Sequence, residues 1–162
     1  LGRFEAFYSD GLRTMLTNVK TCEMFEATLR IPGHLKVIKL LRDLGFLDRK
    51  PVKLDGLDIE PRLLTARLFE ERFKQSSRDR AILYVEVDSN GSRYGVVSTL
   101  DGEPGASSIA VYTALVFAKT INIVLERNLG DGVYPLEKLY GFYDDYVDFL
   151  KNHGVQINTI RG

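Results

Sequence analysis

The sequence predicts an α+β fold, a mixed and mostly antiparallel sheet with helices packed on one face. Three observations predict it. Two alternating apolar and polar segments flank Asn90-Gly91, the strongest two-residue hairpin signal. Further strand-like and helix-like patterns follow one another irregularly, unlike the strict alternation of a doubly wound fold. The 162 residues, 44% of them hydrophobic, suffice to bury a real core in one domain spanning 1–162.

The elements follow in chain order. Residues 4–8 read as a short strand ending at Ser9-Asp10-Gly11, where Asp bonds the following backbone and Gly tolerates positive φ. Residues 19–29 form a second extended segment, with Thr, Cys and Phe at every second or third place. Arg30-Ile31-Pro32-Gly33-His34 breaks it, because proline forbids sheet pairing and permits a first helical turn. The helix begun there carries Leu35, Ile38, Leu41 and Leu44 on one face and stops at Gly45. A start signal at 58–61 opens an amphipathic helix to about Gln75, with Leu64, Leu68 and Phe73 opposite a solvated face of Arg62, Arg67 and Arg72.

The hairpin strands cover 81–88 and 93–99, with Ser89 opposite Ser92 and with Val87, Val85 and Leu83 facing Tyr94, Val96 and Ser98. From 106 to 125 Lys119 is the only charge, so this helix is expected to lie centrally or in a subunit interface. A last amphipathic helix begins near Pro135, turns Leu139, Tyr143, Tyr146, Val147 and Leu150 inward, and stops at Gly154 before a strand at 155–159.

Composition narrows the function. Twenty-two basic and 22 acidic residues cancel, which removes the long-range field that a nucleic-acid or anionic-membrane partner requires. No apolar run is read as spanning a bilayer, and no signal segment opens the chain. Cys22 stands alone, which suits a reducing cytoplasm and leaves no cysteine-rich metal site. The two histidines, His34 and His153, offer no metal-ligand spacing. Dinucleotide-glycine, P-loop and nucleophile-elbow patterns are all missing.

Two segments are suited to anions. Arg30, just before the Pro32-Gly33-His34 helix start, places a guanidinium near backbone N–H groups and a positive helix end, a setting that holds carboxylates. It equally suits a structural ion pair, with His34 capping or packing. Gly105-Ala106-Ser107-Ser108 brings hydroxyls and amides to the start of the apolar helix, and serves as well for a plain N-cap. Neither segment names a catalytic acid or base.

Three stretches carry a family resemblance. Glu5-Ala6-Phe7-Tyr8-Ser9-Asp10-Gly11-Leu12, then Thr28-Leu29-Arg30-Ile31-Pro32-Gly33-His34, then Leu41-Arg42-Asp43-Leu44-Gly45 match in order and spacing. They resemble the second domain of the saccharopine dehydrogenase and lysine 6-dehydrogenase family. Ser107-Ser108-Ile109-Ala110-Val111-Tyr112-Thr113-Ala114 and Gly132-Val133-Tyr134-Pro135-Leu136-Glu137 are weaker echoes. Ile31, Val111, Tyr112 and Ala114 depart from the pattern and make the wall built by the apolar helix bulkier and more apolar.

The resemblance implies a fold similar to the C-terminal domain of glyceraldehyde-phosphate dehydrogenase. It implies a substrate-binding and homodimerising segment of an oxidoreductase acting on the C–N bond of an amino acid. NAD or NADP is then bound mainly by a Rossmann domain preceding this chain, which starts at Leu1 and is expected to be a piece of a longer polypeptide. Under the same implication Arg30 clamps a substrate carboxylate with His34 near it, Ser9 and Asp10 hold the amine, and Ser107 and Ser108 line the opposite wall. The alternative is a non-catalytic amino-acid-sensing or assembly domain that kept the fold.

Overall fold

A computed structural model describes residues 2–73 and 79–161. The chain gathers into two compact units, Leu1–Gln75 and Ser76–Gly162. The class is α+β, and every strand pairing among the described residues is antiparallel. The strands fall into three small sheets rather than one.

In the first unit, β1 (Glu5–Tyr8) pairs with β2 (Ala27–Arg30), placing Glu5 opposite Arg30 and Phe7 opposite Thr28. The ladder runs one bond further, from the Ser9 N–H to the Glu26 carbonyl at 3.1 Å. The strand expected over 19–29 is therefore confined to its last residues, because a four-residue β1 offers no longer edge to pair with. The short helix α1 (Met15–Asn18) and irregular backbone fill the interval.

The expected helix after Pro32 is α2 (His34–Asp43). Gly33 stands at its N-cap with φ 91°, a conformation that costs a side-chain-bearing residue dearly. The helix closes with a Schellman pair, Phe46 N–H to the Leu41 carbonyl and Gly45 N–H to that of Arg42, both 2.9 Å. Leu35, Ile38 and Leu41 are half-buried as expected, whereas Leu44 is exposed.

A second hairpin joins β3 (Val52–Leu54) to β4 (Leu57–Ile59), its turn made by Asp55 and Gly56 at φ 50° and 83°. Helix α3 (Pro61–Phe73) starts where predicted, but its inward residue is Thr65, whose hydroxyl donates to the Phe46 carbonyl at 2.9 Å. Leu64, Leu68 and Phe73 remain exposed within this unit, so the expected apolar face is not its packed face. The predicted end at Gln75 lies outside the described residues.

The second unit is built on β5 (Arg80–Ser89), β6 (Ser92–Asp101) and β7 (Gln156–Arg161), in the order β5-β6-β7. The hairpin register is the predicted one, from Ser89 opposite Ser92 to Leu83 opposite Ser98. Asn90 and Gly91 both take positive φ, 52° and 77°, as a primed turn requires. Helices α4 (Ser108–Glu126) and α5 (Tyr143–Asn152) pack on the sheet face that carries Ser98, Leu100 and Ile157. Leu100, Leu150 and Val155 form the core there, with Val111, Tyr112, Leu115, Val116 and Ile157 against them.

A 3-10 segment, Leu136–Phe142, precedes α5 and buries Leu139. Tyr146 and Val147 are half-buried, while Tyr143 is exposed rather than inward. Gly154, at φ 86°, ends the helical run as predicted.

Helix α4 corrects one expectation and narrows another. Over Ser108–Glu126 it is long and apolar enough to cross a bilayer by length and composition, so an apolar run of that length does exist. It is also not central to its own unit. Ile123 is sealed at 1% exposure, yet Phe117 and Leu125 are 66% and 77% exposed.

Candidate functional site

The β1–β2 ladder sets two of the six predicted residues, Ser9 and Arg30, on one face, because side chains alternate along a strand and register partners share a face. Glu5 and Phe7 of β1 lie with Thr28 and Arg30 of β2. Ser9 continues the row, its hydroxyl 2.9 Å from that of Thr28.

Arg30 is exposed. Its Nη1 donates to the carbonyl of the preceding Leu29 at 2.9 Å, and its guanidinium carbon lies 5.8 Å from the centre of the Phe7 ring. That ring is within cation–π range. Among the described residues no carboxylate forms an ion pair with Arg30.

The helix start beside it does hold a carboxylate, and the carboxylate belongs to the chain. Glu5 Oε1 accepts the Gly33 N–H at 2.7 Å and Oε2 accepts that of Leu35 at 2.9 Å. Bonds from the Gly33 amide, then the Leu35 amide, hold the Glu5 pKa below its ordinary value against some desolvation, with half-buried His34 adding to the effect. Asp10 turns outward to Arg13 at 2.9 Å, both groups strongly exposed. Glu26 accepts the Gly11 N–H at 2.7 Å, and a Cβ on Gly11 would press against that carboxylate.

Ser107 and Ser108 lie in the second unit. Ser107 is the N-cap of α4, its hydroxyl accepting the Ala110 N–H at 3.4 Å. Ser108 is buried and gives its N–H and its hydroxyl to Asp79, at 2.9 to 3.0 Å and 2.9 Å. The Asp79 pKa is lowered, chiefly by the Ser108 amide. Gly102 makes room for this pair, since a Cβ there would collide with the Asp79 carboxylate and come within 2.9 Å of the Ser108 nitrogen. Val111 and Tyr112, the departures noted on the apolar helix, pack on the core instead of on an open wall.

Both helix starts expected to receive an anion thus receive one from within the chain. Sequence spacing missed Glu5 and Asp79 because each lies 28 to 30 residues from the amides it binds. The signal available was the acidic residue itself, Glu5 at the start of a strand whose partner strand leads directly into the helix.

Comparison with known families returns the saccharopine dehydrogenase C-terminal domain, whose family model matches residues 2–155. The chain belongs to the saccharopine dehydrogenase C-terminal domain family. Comparison with curated proteins gave no match. Membership makes this an oxidoreductase-related domain of a family of NAD(P)-dependent dehydrogenases.

The starts of α2 and α4 do not fit the pyrophosphate of the dinucleotide. A pyrophosphate needs free amides at a helix start approached closely by a glycine-rich turn. At α2 the amides of Gly33 and Leu35 are taken by Glu5, and at α4 the Ser108 amide is taken by Asp79. What this saccharopine dehydrogenase C-terminal domain does present is the ladder face with Ser9, Thr28 and an uncommitted Arg30.

Proposed function

We propose that this is the substrate-binding and dimerisation domain of an NAD(P)-dependent oxidoreductase acting on the C–N bond of an amino acid of the saccharopine or lysine type. The observation that carries the reading is Arg30. It is an exposed guanidinium steadied by Phe7 and the Leu29 carbonyl, without an acidic partner among the described residues, in a chain of this family.

A planar fork of donors matches a carboxylate, and steadying it in advance reduces the entropy lost when the ligand arrives. In this reading Arg30 clamps the substrate carboxylate, and Ser9 with Thr28 offers hydroxyls further along the same face. His34, at the head of α2, is a half-buried polar neighbour. Asp10 is a weaker candidate for the amine, since Arg13 already engages it. Ser107 and Ser108 contribute by holding the start of α4. The cofactor is held outside these residues, and the protein acts in the cytoplasm as a homodimer through apolar surface such as that on α4.

The test is calorimetric titration of the full-length protein with saccharopine, with lysine and with each nicotinamide dinucleotide. Arg30→Ala is expected to weaken binding of the carboxylate ligand by about 2 to 4 kcal/mol while the melting temperature barely moves. Unaltered affinity in a folded R30A protein rejects the assignment.

A further inference from the structure

Glu5 and Arg30 are register partners across β1 and β2, so their side chains emerge on the same face. Opposite charges so placed pair readily in an isolated ladder. Here they do not. The Glu5 carboxylate spends one oxygen on Gly33 and the other on Leu35, 28 and 30 residues away, while Arg30 leans over Phe7.

The segment between these contacts is short. Arg30 ends β2, Ile31 and Pro32 follow, and Gly33 begins the cap of α2. Fastening Gly33 and Leu35 to β1 therefore fixes the turn that follows Arg30 at both ends, by the ladder on one side and by Glu5 on the other. The same two bonds occupy the carboxylate that would otherwise neutralise the guanidinium. They also fill the positive end of α2, so an incoming carboxylate meets the exposed Arg30 guanidinium rather than those helix-start amides.

We propose that Glu5 is a positioning residue for the ligand site. By binding the start of α2, it holds Arg30 in place and leaves it free to take a ligand carboxylate. The proposal rests on the reading of Arg30 given above and adds a residue that touches no ligand itself.

The experiment is a double-mutant cycle in the full-length protein with saccharopine as the probe, read by calorimetry at a temperature where circular dichroism shows each variant folded. Glu5→Ala is expected to lower the affinity about tenfold, within the range of coupling seen between neighbouring groups. Glu5→Gln, which still accepts one of the two N–H groups, is expected to recover part of that loss. In an Arg30→Ala background, Glu5→Ala is expected to cost nothing further.

A purely structural Glu5 would lower the melting temperature and leave saccharopine affinity untouched. Wild-type affinity in folded E5A and E5Q proteins, with R30A weakened, overturns the role of Glu5 and spares that of Arg30. Losses that add independently in the double variant also overturn it. Wild-type affinity in R30A overturns the underlying reading as well. If E5A does not fold, E5Q against R30A carries the same cycle.

Discussion

Asp79 holds Ser108 by both its backbone N–H and its hydroxyl, tying the start of α4 to the residue that leads into β5. A carboxylate at a helix N-terminus interacts favourably with the unsatisfied amides and the helix dipole while it is ionised. The lowered pKa of Asp79 states the same fact as an equilibrium.

The pH dependence follows from the sign of that shift. A group whose folded pKa lies below its unfolded value, about 3.9 for Asp, stabilises the fold above the unfolded value. The contribution disappears as pH falls through the folded value. Glu5 carries a shift of the same sign in the first unit. The melting temperature is thus expected to fall as pH drops below about 4. Asp79→Asn should melt lower at pH 7 and show a flatter acid limb in a pH series followed by circular dichroism. An acid limb as steep in D79N as in the wild type would show that this carboxylate contributes nothing to the linkage.

Tyr112 and Ser98 make a different kind of link. Their hydroxyls lie 2.8 Å apart between α4 and β6, and Ser98 is only 3% exposed. Tyr112→Phe removes one partner and leaves a buried hydroxyl without its bond, at an expected cost of about 1 to 2 kcal/mol. Adding Ser98→Ala removes the orphan, so the double variant should lose less than the sum of the single changes. Urea denaturation of the four proteins measures this directly, and strict additivity would mean the two hydroxyls do not depend on each other.

Local rules made some of this structure legible and long-range closure hid the rest. Asn90-Gly91 specifies its own turn, and the strands on either side are long enough to show alternation, so even the register of β5 and β6 could be read. Asp55-Gly56 is a turn signal of the same kind, but strands of three residues show no period. Helix α2 was visible because Pro32, Gly33 and Gly45 punctuate it. The occupants of the helix starts were not visible, because a carboxylate some 30 residues away has no spacing rule linking it to the amides it binds. Arg30 could be singled out by its neighbours, yet its freedom from Glu5 required the fold.

Helix α4 carries the remaining prediction. Its buried side packs Val111, Tyr112, Leu115 and Val116 on the core, and Ile123 is closed off. The other side presents Ile109, Phe117, Ile121, Val124 and Leu125, all exposed, with Lys119 paired toward Asp145 of α5 at 3.9 Å. Apolar side chains repeating along one helix at this exposure gain about 25 cal/mol for each Å² removed from water, which favours association of two such surfaces. Phe117→Glu would place a charge in any such contact while facing solvent in the isolated chain, so the fold should survive it. Sedimentation velocity across a concentration series is expected to show a dimer for the wild type and a monomer for F117E, with unchanged circular dichroism. A wild type that stays monomeric throughout would remove self-association as the reason for this surface. A dimer that persists in F117E would move the contact away from this face of α4.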